Sequence, residues 1–474
     1  MSDGRKRFNR RALLVGGAAI YCTSLVAKTG RAAEPTKDAP LTLTAKPGTA
    51  QILKDQTTDI WGYSGTVPGP VIRVRQGDDL HLRFRNEIEH ASTIHWHGIR
   101  INNAMDGVPG LTQKPVANGD GFTYRFTCPD AGTYWYHPHK MSSEQIARGL
   151  YGALIVEERV PLEVDQDHAL LFDDWRLTED GQIHEASFGA MHDRAHAGRY
   201  GNTFSLNGTT DHVLPVRSGD RLRLRFVNVA NANVFAVRIA DHALTQIAVD
   251  GQPIPPTPAT DGLVLLGPGQ RTDVIVDAMG QPGTSAEIQL LTRRTVETVG
   301  QLAYTDETPR RTARSRAPIV LPKNALPETL DLENAIDIDI PMEGGAMGRM
   351  PGAMVDGAWM GMREMVRKKR YAWALSGKAG MSMTPHFTVK RGQTVRLTFR
   401  NKTMWPHAMH VHGHHFKEVG ATASEPWYRD TIMLFRGQTK TVAFVADNPG
   451  KWMLHCHMLE HHEAGMGTWF EVTA

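Results

Sequence analysis

Cysteine is scarce in this chain, with three residues among 474, which excludes a fold stapled by several disulfide bonds. Cys22 lies in a leader-like segment and Cys456 is a candidate metal ligand, so only Cys128 is left and no structural disulfide is expected. We expect Cys128 to behave as a small buried hydrophobic residue. Long helical periodicities are also rare, which disfavours an all-helical fold.

The first 32 residues form a separate segment. Several arginines and one lysine precede an apolar run at residues 12–26, and small residues follow at Ala32 and Ala33. This layout is typical of an export signal, and the run of about fifteen residues is shorter than the roughly 20 that span a bilayer. We therefore expect export and cleavage near Ala32, with no stable membrane insertion afterwards.

Arg10 and Arg11 directly precede the apolar run and resemble a twin-arginine signal, although Asn9 stands where serine is more usual. The resemblance implies the twin-arginine export machinery as a partner and the periplasm as the destination. The leader holds seven Lys or Arg and one Asp, a net +6, so the whole-chain charge of +3 becomes about −3 without it. Because the positive excess resides in the leader, nothing indicates binding to nucleic acid or to an anionic membrane.

One sequence pattern occurs three times, starting at Val74, Val216 and Val389. The copies read VRQGDDLHLRFRN, VRSGDRLRLRFVN and VKRGQTVRLTFRN, each a turn at glycine followed by alternating apolar and polar residues. Alternation with period two is typical of a half-buried strand. The repeat predicts an all-β chain of three consecutive Greek-key β-sandwich domains, at residues 40–158, 167–303 and 324–474.

The segment 455–466 reads HCHMLEHHEAGM and concentrates thiol, imidazole and thioether groups in twelve residues. Such soft ligands select copper, and two histidines with one cysteine and a weak axial methionine make a blue-copper site. On a strand, Cys456 points to one face while His455 and His457 point to the other. The segment therefore predicts two copper sites joined by only two peptide units.

Three further H-x-H pairs strengthen this interpretation. They are His95 and His97, His137 and His139, and His410 and His412. With the pair around Cys456 they supply eight imidazoles, enough for two three-coordinate coppers and one two-coordinate copper, while His407 remains for the cysteine site. The middle copy of the repeat has Val237 and Ile239 where the outer copies have histidines. We expect a cluster between the first and third domains, with the middle domain as a spacer that sets the geometry of the other two.

The four motifs, in this order, resemble those of the multicopper oxidases, a family that includes laccases, ascorbate oxidase, bilirubin oxidase and bacterial cuprous oxidases. The resemblance covers nearly all of the chain after residue 35 and implies three cupredoxin-like domains. It also implies four copper ions, one of type 1, one of type 2 and two of type 3. The implied ligands are His407, Cys456, His461 and axial Met466 for type 1, His95 and His410 for type 2, and His97, His137, His139, His412, His455 and His457 for type 3.

The resemblance implies that the type 1 copper accepts electrons one at a time and that four electrons reduce O2 to two waters at the other three coppers. Cys456 and the histidines beside it would form the covalent electron route. Asp106, nine residues after His97, stands where the family has an acid near the type 2 copper, and is the candidate proton donor. An ordinary Asp-Gly turn is the alternative for Asp106.

A second acid is usual in copper-detoxifying relatives directly after the second type 1 histidine. Here that position is His462, and Glu463 follows it. The sequence therefore leaves the second proton donor unassigned, and Glu460 is an alternative candidate.

Seven methionines fall within residues 342–365, and Met381 and Met383 follow. Such residues usually provide flexible core packing. Thioethers are also ligands for Cu(I), and the cuprous oxidases of the family carry methionine-rich insertions in the third domain. We therefore expect Cu(I) as the reductant, for copper tolerance, with a phenol-oxidising laccase or a copper-sequestering protein with incidental oxidase activity as alternatives.

Overall fold

The computed structural model describes residues 40–292, 295–311, 317–420, 423 and 426–474. The export signal expected at residues 1–32 lies outside the described residues. Within the described part of the chain, every helix is too short or too polar to span a membrane.

The first domain consists of two four-stranded sheets that share one apolar core, which includes Phe84, Trp96 and Leu154. The first sheet has the spatial order Thr58–Tyr63, Leu41–Ala50, Asp79–Asn86 and Gly121–Thr127. The second has the order Ile72–Arg75, Gly152–Glu157, Gly132–His137 and His95–His97.

The middle domain is a sandwich of six and five strands around a core that includes Phe226, Val237 and Leu290. The larger sheet has the order Thr203–Leu206, Gln166–Trp175, Asp220–Asn228, Arg271–Ala278, Thr245–Val249 and Gln252–Pro258. The smaller sheet has the order His212–Val216, Val296–Tyr304, Ser285–Leu291, Phe235–Ile239 and Val264–Leu266.

The third domain is a sandwich of six and five strands, with its core around Phe399, Trp452 and Phe470. Its larger sheet has the order Trp373–Leu375, Ile336–Gly344, Thr394–Asn401, Thr439–Val445, Phe416–Val419 and Tyr428–Arg429. The smaller one has the order Thr388–Lys390, Gly467–Thr473, Gly450–Cys456, His407–Val411 and Thr431–Leu434. The predicted all-β fold with three consecutive sandwiches is thus confirmed.

Short helices and one hairpin complete the structure. The α-helices are Ser142–Ala147, Met191–Ala195, Met362–Glu364 and Leu459–Glu463, and Met365–Lys369 is a π-helix. The 3-10 turns are Asn103–Met105, Glu185–Ser187 and Thr260–Gly262. The hairpin pairs Gly352–Val355 with Ala358–Gly361.

The asparagine that ends each repeat copy has the same function in all three domains. The side-chain amides of Asn86, Asn228 and Asn401 each donate to a carbonyl four or five residues later and to another more than 29 residues away. Each side-chain oxygen accepts the backbone N–H two residues onward. The asparagine therefore fixes the loop that leads from the central strand to the next strand, which bears ligand candidates in the outer domains.

The middle copy of the repeat differs from the expected half-buried strand, because Asp220–Asn228 is buried on both faces. Its outward arginines are covered by the first domain and by neighbouring acids. Arg223 bonds to Asp273 and Glu158, while Arg225 bonds to Thr133 of the first domain. The second face of this strand is buried because it packs against the first domain. Such a tertiary contact produces no periodic pattern in the sequence, so the sequence could not predict it.

Candidate metal centre

Three side chains of the third domain converge in a fully buried group, His407, Cys456 and His461. The Cys456 Sγ lies 3.6 Å from His407 Nδ1 and 3.8 Å from His461 Nδ1, and the two Nδ1 atoms are 3.1 Å apart. Ligand atoms about 2 Å from one metal ion lie roughly 3–4 Å from each other. The triangle therefore has the size of a metal site with two histidines and one cysteine.

Outer contacts orient the two imidazoles of this group. His407 Nε2 lies 2.8 Å from the Thr403 hydroxyl, and His461 Nε2 donates to the carbonyl of His196 at 2.7 Å. The Trp373 ring packs against both imidazoles, with centroid distances of 5.1 and 4.4 Å. Because both Nε2 atoms are engaged, both Nδ1 atoms face the thiol.

Met466 lies beside the same group. Its N–H donates to the carbonyl of His461 at 2.9 Å, and its carbonyl accepts the N–H of Cys456 at 3.0 Å. Burial raises the pKa of the Cys456 thiol to about 12. A bound cation lowers the pKa of a thiol, so a metal ion is what would keep this sulfur as the thiolate.

The eight paired histidines form a second buried cluster, because equivalent strand pairs of the two outer domains carry them. His95 lies opposite His137 in the register of the first domain, and His410 lies opposite His455 in that of the third. The middle domain places Val237 opposite Leu290 in the corresponding pair of strands. The repeat thus produces the same geometry three times, with ligand candidates only in the outer domains.

Imidazoles from the two outer domains stack on each other. His95 stacks on His412 with a centroid distance of 4.0 Å, and His97 stacks on His410 at 3.9 Å. His457 packs against His97 at 4.8 Å. Groups of three potential ligands, each within 4.8 Å, include His95 with His410 and His412, and His95 with His97 and His137.

Two buried carboxylates hold these rings in matching ways. Asp106 Oδ2 lies 3.0 Å from His412 Nδ1, and its backbone carbonyl lies 2.8 Å from His95 Nδ1. Asp430 Oδ1 lies 3.2 Å from His97 Nε2, and its backbone carbonyl lies 2.9 Å from His410 Nδ1. Each aspartate therefore orients one histidine from the first domain and one from the third.

Asp430 is a site residue that the sequence did not reveal. It follows His412 by 18 residues, whereas Asp106 follows His97 by nine, so the repeat spacing does not relate the two. Burial opposes the ionisation of Asp430, but the charge of Arg271 and hydrogen bonds from the imidazoles outweigh it and hold its pKa well below the usual range. The carboxylate is thus kept in the form that accepts hydrogen bonds from histidine.

The cluster has the chemistry of a metal site. Burial lowers the pKa of His97, His137, His139, His412, His455 and His457 well below the ordinary value, which keeps the rings neutral as metal binding requires. Among the described residues, several buried ring nitrogens have no hydrogen-bond partner. They are His95 Nε2, His97 Nδ1, His137 Nε2, His410 Nε2 and both nitrogens of His457. Buried polar atoms are rarely left unpaired, so bound copper fits this donor set.

His462 lies against the cluster, where relatives were expected to have an acid. Its ring packs 4.5 Å from His455 and 5.2 Å from His139, and the three form a potential ligand group. Glu463 is engaged by the Ser143 N–H and by Arg194, each at 2.9 Å.

Glu460 is buried between the domains. Its carboxylate accepts the Asn231 side-chain amide at 2.7 Å and the Arg199 N–H at 3.1 Å. Burial raises the pKa of Glu460 to about 7. Glu460 remains a candidate for the second acid, because a carboxyl group with this pKa exchanges its proton near neutral pH and Glu460 lies one residue before His461.

The methionine-rich segment is divided between the interior and the surface. Met342, Met350 and Met365 are buried, as core packing requires. The exposed ones are Met347 at 69%, Met354 at 38%, Met381 at 36% and Met383 at 91%. Trp359, in the hairpin, is also 61% exposed.

The middle domain contributes contacts to both groups of candidate ligands. His196 supplies the carbonyl that orients His461. Arg271 forms a bidentate ion pair with Asp430, at 2.8 and 2.6 Å.

Comparisons with known proteins point to one family. Multicopper oxidase family models match residues 44–161, 166–286 and 360–474. The multicopper oxidase MmcO of Mycobacterium tuberculosis is 29% identical, over 98% of this chain and 96% of its own. Laccase-2 of Botryotinia fuckeliana is 30% identical over 86% of this chain and 78% of its own. Copper resistance protein A of Escherichia coli and a copper resistance protein A homolog of Pseudomonas syringae are also relatives.

A solved structure is similar throughout. Lac15 from a marine microbial metagenome is 38% identical, with a TM-score of 0.74, over 92% of this chain and all of its own. With three matching domain models and a relative at this identity, the chain belongs to the multicopper oxidase family and is a copper-dependent oxidoreductase of the laccase and cuprous oxidase type.

Proposed function

We propose that the chain binds four copper ions and couples four one-electron oxidations to the reduction of O2 to two waters. His407, Cys456, His461 and Met466 would hold type 1 copper, His95 and His410 type 2, and His97, His137, His139, His412, His455 and His457 the type 3 pair. The observation that carries the proposal is the position of Cys456 in one donor group while its two neighbours in sequence, His455 and His457, contact imidazoles of the other. Bound copper would supply reversible one-electron chemistry and bind O2.

The protein side chains have separate functions in this scheme. Cys456 links the two groups through two peptide units, which favours rapid electron transfer. Asp106 and Asp430 fix the tautomer and direction of four imidazoles. We also propose Asp106 as the proton donor, since it lies within hydrogen-bond distance of two cluster histidines while buried from bulk solvent.

Metal analysis and electron paramagnetic resonance (EPR) spectroscopy test the copper assignment. The copper-loaded protein should contain four ions per chain, with one type 1 and one type 2 signal. Cys456→Ser should abolish the blue thiolate absorption and O2 consumption but retain the type 2 signal. Two results would contradict the assignment. Loss of both EPR signals would show that Cys456 is needed by both sites, and a variant that stays blue would show that Cys456 is not the type 1 ligand.

We further infer that Cu(I) is the physiological reductant and that the protein serves copper tolerance. The exposed thioethers support this, because they present soft ligands on the domain that carries the cysteine site. The relatives named copper resistance protein A and MmcO support the class of reaction. The similarity to Laccase-2 favours a phenol as the second candidate reductant.

Replacement of the exposed methionines separates these two candidates. We would change Met347, Met354, Met381 and Met383 together to leucine, which keeps the volume similar. Oxidation of Cu(I), measured as O2 consumption, should fall while phenol oxidation stays unchanged. Met350→Leu, a buried methionine of the same segment, is the matched control. Unchanged Cu(I) oxidation in the fourfold variant would favour the laccase reading.

We also propose export to the periplasm by the twin-arginine route, on the basis of the leader alone. Replacing Arg10 and Arg11 together by lysine should retain the protein in the cytoplasm with its leader uncleaved. Immunoblots of cell fractions provide the measurement, and normal export of this variant would refute the assignment.

A further inference from the structure

A fully buried arginine of the middle domain lies at the junction of all three domains. Arg271 begins the strand Arg271–Ala278, and its side chain has no exposed surface. It donates to the carbonyl of Thr133 in the first domain at 3.2 Å and to the carboxylate of Asp250 in its own domain at 3.4 Å. Its Nη1 and Nη2 donate to Asp430 of the third domain at 2.8 and 2.6 Å, and Nη1 also donates to the carbonyl of Gly269 at 3.2 Å.

The Asp430 end of this ion pair reaches the histidine cluster directly. Asp430 Oδ1 accepts from Arg271 Nη1 and is also the atom that lies 3.2 Å from His97 Nε2 and 3.3 Å from His410 Nδ1. The Thr431 hydroxyl donates to the same oxygen at 2.8 Å. Movement of this carboxylate would therefore turn one ring from each outer domain.

A second carboxylate restricts where Asp430 can go. Asp250 Oδ2 accepts the backbone N–H groups of Asp430 and Thr431, each at 3.3 Å, while its other oxygen accepts the N–H of Arg271 at 3.0 Å. Backbone and side chain of Asp430 are thus both tied to the middle domain. A single planar guanidinium matches this arrangement because it presents several donors in a fixed geometry.

The space around the pair is filled. Gly98 directly follows His97 with a φ of +88°, and a Cβ there would overlap the Arg271 guanidinium and come too close to the Asp430 carboxylate. A Cβ at Gly269 would lie 3.0 Å from the rings of His97 and His457. The ion pair is therefore packed closely against the ligand strand of the first domain.

We propose that Arg271 is a positioning residue for the type 2 and type 3 copper sites, which holds Asp430 so that His97 Nδ1 and His410 Nε2 face the metal. The middle domain, which has no ligand candidates of its own, would in this way set the geometry of a site built by the other two. This inference rests on the copper assignment proposed above and extends it from the ligands to their support.

Arg223 offers a matched control. It lies on the adjacent strand of the same sheet, is also fully buried, and binds Asp273 at 2.7 Å and Glu158 at 2.8 Å. Among the described residues, neither carboxylate contacts a histidine. Arg271→Met and Arg223→Met therefore remove equally buried charges, of which only that of Arg271 is paired with a carboxylate that contacts the cluster.

The measurement is chelator titration of the copper-loaded protein, followed by the type 2 EPR signal and the blue absorption. Loss of an outer-shell partner commonly weakens metal binding about 10–100-fold. We expect Arg271→Met to release type 2 copper at a correspondingly lower chelator concentration and to alter its EPR parameters, with the blue absorption retained. Arg223→Met should lower the unfolding temperature but leave the type 2 parameters unchanged.

Arg271→Lys keeps the proposal testable if Arg271→Met does not fold. Lysine preserves the charge but lacks the bidentate fork, so type 2 copper should be held less tightly than in the wild type, with altered EPR parameters. Wild-type parameters in Arg271→Lys, or the same change in Arg223→Met, would overturn the proposal. A wild-type protein without any type 2 signal would instead overturn the copper assignment itself.

Discussion

Single residues decide the geometry of the histidine cluster, because two aspartates bind rings that come from opposite ends of the chain. Asp106 engages His95 and His412, while Asp430 engages His97 and His410. Each acid thus serves one proposed type 2 ligand and one proposed type 3 ligand. The correspondence between the outer domains extends from the ligand candidates to the groups that orient them.

Asp106→Asn should slow the reduction of O2 by about 10–100-fold, the usual effect of losing an outer-shell carboxylate. The amide has the same shape but neither the charge nor an ionisable proton. Reduction of the type 1 copper under anaerobic conditions should keep its rate, because Asp106 does not contact that group. Stopped-flow absorbance measures both half-reactions, with the exposed Asp78→Asn as control. Equal slowing of both would contradict the assigned role.

Asp173 should make stability depend on pH. Burial, assisted by the charge of Asp174, raises its pKa to about 8, whereas an aspartate of the unfolded chain titrates near 3.9. The folded state therefore binds the proton more tightly, and the free energy of unfolding decreases as the pH rises from about 4 to about 8. Asp173→Asn removes the titrating group, so the variant does not lose this stability as the pH rises. The unfolding temperature of the variant minus that of the wild type should therefore increase over that pH interval. Calorimetry at several pH values would contradict this if the difference were constant.

The sequence was sufficient for the candidate ligands and insufficient for their partners. H-x-H spacing on strands places two rings on one face, so His95, His97 and their counterparts were recognisable locally. Arg271 and Asp430 have no such pattern, because their contact depends on how three sandwiches pack. Among the residues that orient the ligand candidates, only Asp106 in the Asp-Gly turn could be predicted, and that prediction came from the resemblance to the family.

At the scale of elements, the turn that carries Asp106 depends on glycine. Gly107 has a φ of +80°, and a Cβ there would overlap the carbonyl of Ile94, the residue before His95. Gly110 has a similar φ of +77° but open space around it.

Gly107→Ala should therefore cost more stability than Gly110→Ala, for which only the left-handed conformation costs about 1–2 kcal/mol. It should also displace Asp106 and reduce the copper content of the cluster. Thermal unfolding and metal analysis of both variants provide the test. Equal losses in the two variants would show that the contact with Ile94 is relieved at little cost.

Strands could be predicted better than the methionine-rich insertion. The three repeat copies carried a period of two, and all three became central strands of their sheets. The insertion has no period, yet Gly352–Val355 and Ala358–Gly361 form a hairpin with a small core of its own, which includes Met350 and Met365. Its order comes from packing among a few methionines and Tyr371, which no local rule anticipates.

At the scale of the whole molecule, the proposed copper cluster links the two ends of the chain. Four of its eight histidines come from the first domain and four from the third, whereas the ligand candidates of the cysteine site all belong to the third domain. Ligands that bind only the folded state stabilise it by mass action, by about 2.7 kcal/mol when the free ligand is 100-fold above its dissociation constant. Copper in the cluster would therefore stabilise the association of two domains, and copper in the cysteine site would stabilise the third domain.

Removal of copper should thus have two separable effects on unfolding. Complete removal by chelation should lower the unfolding temperature and split one calorimetric transition into several, because the outer domains are no longer linked. Cys456→Ser, which lacks only the cysteine site, should lower the temperature less and keep the transition single. If the variant instead unfolds as the copper-free protein does, the stabilisation resides in the cysteine site, and the cluster does not couple the outer domains.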